Sequence, residues 1–190
     1  MSVSEIPLVV RRRDVVYVRV ASPADHPVIR SVIVAAYAQY EQVLGAKLYT
    51  RYLADLLDLD RHSRLGQLLV AEVHGAVVAS IAFYPDASVQ GLGLPRGWAG
   101  GRALAVHPDA QGHGAARALI AATERLARRH GAPAFAFHSA SFMSAAVAMY
   151  DRLGYARAPE FDRDLGSFLN VVDAPPVRSI AFRRDLGDHR

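Results

Sequence analysis

Apolar positions along the chain alternate between a period near two and a period near 3.6, and each switch predicts an element. Residues 15–20 are short and rich in valine, which predicts a strand. Ser22, Pro23 and Asp25 then provide a helix start, and Val28, Val32, Ala35 and Ala36 carry a helical period to a break near Gly45. A second helical stripe follows at Leu48, Tyr52, Leu53, Leu56, Leu57 and Leu59. Residues 67–73 and 76–84 are apolar, β-branched runs flanking His74 and Gly75, the pattern of a hairpin with a tight turn. Pro85, Gly91, Gly93, Pro95 and Gly97 mark a loop, and residues 98–106 return to the sheet.

From 112 to 130, Ala115, Ala118, Leu119, Ala122 and Leu126 fall on one helical face, and Gly131 with Pro133 ends the helix. Residues 134–137 read as a short buried strand, 142–153 as a helix closed by Gly154, and 155–158 as the start of another strand. Residues 160–176 read as irregular, and 177–183 as a final strand. The predicted order is β-α-α-β-β-β-α-β-α-β-β, an α/β (α+β) chain with a mixed sheet flanked by helices. Residues 15–190 form one expected domain after a flank of residues 1–14, whose Arg11, Arg12 and Arg13 make too short a basic run for an interaction tail.

The length of 190 residues allows one sizeable core, and 52% hydrophobic with 21% charged residues excludes wholesale disorder. The chain has no cysteine, which removes disulfides, thiolate metal sites and cysteine nucleophiles together. No apolar run approaches the roughly 20 residues of a membrane span and no secretory signal opens the chain, so the cytoplasm is expected. A net charge of +4 fits an anionic ligand but is too mild and scattered to indicate nucleic acid. The histidines lack the close spacing of a metal site, and no metal is expected.

The segment from His107 to Ala116 joins the strand end Leu104-Ala105-Val106 to the long helix. A helix start leaves about four N–H groups without intrahelical partners and carries about half a positive charge, so an anion is favoured there. Gly112 and Gly114 remove the Cβ atoms that would hold a diphosphate away, Ala115 and Ala116 are the next smallest choice, and Gln111 and His113 add rim donors. A tight corner is the plain alternative. A dinucleotide fingerprint fails because its third glycine would be Arg117 and no acidic residue ends the next strand. No Gly-Lys-Ser or Gly-Lys-Thr follows, so a nucleoside-triphosphate loop fails too.

Leu104-Ala105-Val106-His107-Pro108 followed by Gln111-Gly112-His113-Gly114-Ala115-Ala116 resembles the acetyl-CoA motif of the GNAT acetyltransferase superfamily. Gln111, Gly114 and Ala116 meet that motif in order, and the predicted elements resemble the family's over nearly the whole chain. The resemblance implies a mixed, mostly antiparallel, twisted sheet. It also implies that Leu104, Ala105 and Val106 pair with the pantetheine arm, and that residues 111–116 hold the diphosphate. Ala146 to Tyr155, with Tyr150 and a closing Leu153-Gly154-Tyr155, resembles the family's second motif, except that Met143 stands where the family often has asparagine. By that resemblance Tyr150 protonates the departing thiolate; a core aromatic is the alternative.

Acyl transfer to an amine needs a neutral nucleophile, a stabilised oxyanion and a proton for the leaving sulfur. Many family members place a glutamate before the phosphate loop, where this chain reads Ala99-Gly100-Gly101-Arg102. His138 and Glu41 are the candidate bases. Tyr37 and Tyr40 are candidate acceptor-binding residues where the family's acceptor helices lie, beside Glu41, which would favour a cation. The expected activity is N-acetylation of a small-molecule amine or peptide acceptor, with a homodimer allowed for and neither nucleic acid nor membrane as partner. A non-catalytic acyl-CoA-binding module of the same fold is the alternative.

Overall fold

The computed structural model describes residues 15–187; the flank 1–14, its arginine run and His189 lie outside them. The elements are β1 (Tyr17–Val20), α1 (His26–Tyr37), α2 (Glu41–Leu56), α3 (Leu59–Leu65), β2 (Gln67–Val73), β3 (Ala76–Tyr84) and β4 (Ala99–Val106). They continue with α4 (Ala115–Arg129), β5 (Ala134–Ala140), α5 (Ser144–Arg152), β6 (Ala156–Arg157), β7 (Arg163–Asp164), α6 (Leu165–Phe168) and β8 (Arg178–Asp185). The expected order is present and gains three short elements. α3 continues the helical region beyond its expected end, and β7 and α6 fall within residues read as irregular, being too short to show a period.

Eight strands form one sheet in the order β1-β2-β3-β4-β5-β8-β6, with β7 also on β8. Only β4 and β5 run parallel; the other pairs are antiparallel. The β2–β3 turn has positive φ at both His74 (52°) and Gly75 (77°), the twist a two-residue hairpin requires. Ile29, Ile33, Leu56 and Leu59 from α1 to α3 cover one face of the sheet. Leu119 and Ile120 of α4 and Tyr150 of α5 pack on the other. Arg19 of β1 donates two hydrogen bonds of 2.8 Å to the Asp25 carboxylate, which ties the edge strand to the start of α1.

α4 and α5 both close as the sequence requires. Gly131 and Gly154 take positive φ, and the following N–H groups of Ala132 and Tyr155 return to the carbonyls of Ala127 and Tyr150. Both helices start later than the apolar pattern suggests, α4 at Ala115 rather than 112 and α5 at Ser144 rather than 142. For α4 the reason is local: Gly112 (φ 79°) and Gly114 (φ 93°) hold positive φ, outside α-helical geometry, as Gly45 (φ 70°) does at the kink within α2.

β4 and β5 pair at only three positions, Ala99–Phe135, Gly100–Ala136 and Gly101–Phe137, and then part. At the parting point β4 carries a bulge against β3, where Ser80 faces Ala105 and Ala82 faces Arg102. One extra residue on β4 bends the strand, and Ala103 takes φ 53° there. The result is a wedge, open beyond Gly101, in the middle of the sheet.

Candidate active site

The wedge belongs to a cavity of about 810 Å³. At one end lie Leu104, Ala105 and Val106 of β4, then Gln111, Gly112, Gly114, Ala115 and Ala116 at the start of α4. At the other end lie Tyr37, Tyr40 and Tyr52 of α1 and α2 and the turn between them, and Phe168 of α6. Tyr150 and His138 stand in the wall between. His113 and Glu41 are not in the wall, and Glu41 is exposed.

The helix-start end presents backbone donors without partners. The first α4 backbone bond runs from Ala118 N–H to the Gly114 carbonyl, and among the described residues no backbone acceptor takes the N–H groups of residues 112–117. An added Cβ at Gly112 or Gly114 would meet nothing within 4 Å, so the backbone there is open to an approaching group. Gln111 lies at the edge with its amide 3.5 Å from the Val106 carbonyl.

In the middle, Tyr150 is 6% exposed and its ring packs 4.4 Å from Phe137 and 5.5 Å from Phe182, centroid to centroid. Its hydroxyl makes no hydrogen bond among the described residues. Burial, with smaller contributions from Tyr52 and Tyr40, raises its pKa above the ordinary value. His138 Nε2 lies 2.9 Å from the Phe161 carbonyl, so this nitrogen carries the proton and Nδ1 keeps a lone pair. Nδ1 is buried and has no partner. Burial lowers the His138 pKa, more than the carbonyl bond raises it, and the ring is neutral near pH 7.

The aromatic part of the wall abuts β4: Tyr37 donates a 3.1 Å bond to the Leu104 carbonyl and meets Tyr40 and Tyr52 edge-on. Burial pushes the Tyr52 pKa up to about 12, against the opposing effect of Arg102. Arg102 lines the same wall and was not singled out from the sequence. Its Nε lies 3.1 Å from Asp55 Oδ2, its Nη2 contacts the same oxygen, and its guanidinium stands over the Phe168 ring at 5.3 Å. Burial opposes its charge and Asp55 more than restores it, so its pKa lies above the ordinary value. One signal was readable: Arg102 is the single charged residue in an otherwise small and apolar strand. Its partner, 47 residues away, leaves no such mark.

The described residues contain no helix long and apolar enough to cross a membrane. No curated protein matches the chain. Among solved structures, a GNAT-family acetyltransferase from Brucella melitensis in complex with acetyl-CoA is 26% identical, with a TM-score of 0.55 over 76% of this chain and 84% of its own. The yncA protein of Salmonella typhimurium, with its cofactor acetyl-CoA, is 21% identical with a TM-score of 0.60 over 93% and 96%. A GNAT-family protein from Desulfovibrio desulfuricans is 16% identical, with a TM-score of 0.65 over 91% and 100%. The model of the acetyltransferase (GNAT) family matches residues 31–155, which include β2 to β5, α4 and α5. The chain belongs to the GNAT acetyltransferase family.

Proposed function

We propose that the protein is a cytoplasmic N-acetyltransferase that uses acetyl-CoA and acetylates an amine by direct attack. The observation that carries this reading is the single cavity that runs from unpartnered N–H groups at the start of α4, through the β4–β5 wedge, to an aromatic end. The cradle suits a diphosphate, since residues 112–117 offer donors and the two glycines leave room. The β4 edge at Leu104, Ala105 and Val106 would hold the pantetheine arm in the wedge. Bound there, acetyl-CoA supplies an acetyl group already activated as a thioester.

In the transfer an N–C bond forms and a C–S bond breaks, while one proton leaves nitrogen and one reaches sulfur. His138 Nδ1 has the free lone pair to take the first, directly or through a water. Glu41, outside the wall, takes no part in this proposal. An amine of pKa near 10 is neutral about once in a thousand molecules at pH 7, a cost near 4 kcal/mol. Tyr150, its pKa raised by burial, keeps its proton and acts as hydrogen-bond donor to the sulfur as charge develops. Tyr37, Tyr40 and Tyr52 form the acceptor wall. No specific observation favours a non-catalytic binding module.

The test is calorimetric titration of the purified protein with acetyl-CoA, followed by CoA release in the presence of an amine panel. Binding with amine-dependent release is expected. No heat of binding would remove the cradle, and binding without release across the panel would remove the transferase reading.

A further inference from the structure

The acceptor end of the cavity has an uneven charge. Its wall contains no aspartate or glutamate among the described residues, although it contains Arg102. Asp55 lies behind that guanidinium and lines a separate depression of about 370 Å³ together with Arg61. Arg61 Nη2 reaches Asp55 Oδ1 at 3.2 Å while Arg102 holds Oδ2, so two guanidinium groups share one carboxylate and the trio keeps one positive charge. Asp55 pins Arg102 from behind and Phe168 stacks on its face. Its Nη1 makes no hydrogen bond among the described residues. The Arg102 side chain is only 9% exposed, so its field is weakly screened.

Resting on the acetyltransferase reading, we propose that the acceptor is an amine that also carries a carboxylate, an amino-acid-like molecule whose acid group is read by Arg102. A fixed, pre-oriented guanidinium with a free nitrogen is suited to a carboxylate and hostile to a second cationic centre. The bulge supplies the placement. Arg102 is the first β4 residue beyond the last β4–β5 pair, on the face toward α2 and α6. An acid held there and an amine directed toward the wedge lie on one acceptor. Tyr37 and Tyr52 flank the space with their rings. Polyamines and aminoglycosides are better held by carboxylates, and among the described residues the wall has none.

The experiment is steady-state CoA release by the full chain with the common L-α-amino acids, each against its own carboxamide, and with spermidine. The carboxamide keeps the amine and side chain and mimics a peptide N-terminus. The preferred free acid is expected to exceed its carboxamide in kcat/KM by about ten-fold or more, the effect of one charge-assisted hydrogen bond. Equal or better turnover of carboxamides or spermidine would overturn the carboxylate requirement while leaving the transferase intact. Acetyl-CoA binding by calorimetry with no turnover of any amine would instead remove the transferase reading and this one with it. Arg102→Lys, which keeps the charge but loses both the Asp55 pin and the free Nη1, is expected to raise KM for the acid about ten-fold while KM for acetyl-CoA stays unchanged. An unchanged acceptor KM, or a parallel rise in both, would show that Arg102 does not read the acid.

Discussion

A phenol inside a protein holds its proton more tightly than one in water, because burial penalises the phenolate. In water, proton transfer from a phenol to a thiolate is already uphill by roughly 2 kcal/mol. Burial of Tyr150 against Phe137 and Phe182 widens that gap, so donation of a hydrogen bond is favoured over complete transfer. Tyr150→Phe is therefore expected to lower kcat by about ten- to a hundred-fold and leave KM for acetyl-CoA nearly unchanged, read by steady-state CoA release. Full turnover would strip Tyr150 of its part. The same physics acts with opposite sign on a base. His62 is fully buried, with Nδ1 2.5 Å from the Tyr84 hydroxyl and Nε2 unpartnered. Burial first, then Arg102 and Arg61 against the weaker opposition of Asp55 and Asp58, lowers its pKa from 6.5 to about 4. Between these values the unfolded chain binds the proton and the folded one does not. Stability from this group is thus complete above pH 6.5 and lost as pH falls toward 4, on the order of 3 kcal/mol in all. Urea unfolding across that range should show the slope, and His62→Leu should flatten it; an unaltered slope would assign the acid sensitivity elsewhere.

Among the elements, those whose cause lies in neighbouring residues were readable. The β2–β3 hairpin follows from His74 and Gly75, and α4 from its apolar stripe and its closing glycine. The elements set by distant contacts were not: α6 has four residues and packs Leu165 with Leu44 and Leu48 of α2. The β4 bulge was equally hidden, because alanine carries no signal for the left-handed conformation that Ala103 adopts. Two glycines test the two kinds of junction. At Gly66, between α3 and β2, an added Cβ would stand 2.0 Å from the Phe83 carbonyl oxygen, so Gly66→Ala should cost about 1–3 kcal/mol in urea unfolding. Unchanged stability would mean that β3 gives way there. At Gly114 the Cβ direction is open, and a bulky residue would fill the cradle rather than strike the protein. Gly114→Trp is expected to abolish the heat of acetyl-CoA binding and, through its positive φ, to lower the melting temperature by roughly 5 °C. Retained binding would place the diphosphate elsewhere.

For the whole molecule, the sequence pattern supported the fold class and the order of its longer elements, whereas the ion-pair network behind Arg102 was illegible. Asp55 and Arg61 lie close together in the chain, but Arg102 is 47 residues from Asp55 and meets them only because α2, α3 and β4 pack together. Likewise β8, the last strand of the described chain, lies inside the sheet, where it pairs with β5 over seven positions. One half of the sheet is thus β1 to β4 and the other β5 to β8; three residue pairs of β4 and β5 join them along the sheet, while α6 packs back on α2. Beyond Gly101 the inner edge of β4 loses its backbone pairings with β5, and side chains reach two of its carbonyls, Tyr37 at Leu104 and Gln111 at Val106. A pantetheine chain carries amides of its own and would restore some of those pairings, making the small molecule a structural member of the sheet while it stays bound. Hydrogen–deuterium exchange should therefore slow on addition of acetyl-CoA in peptides covering residues 102–106 and 138–140, and change little in the β2–β3 hairpin. Uniform slowing throughout the chain, or none along that edge, would show that the wedge is not bridged in this way.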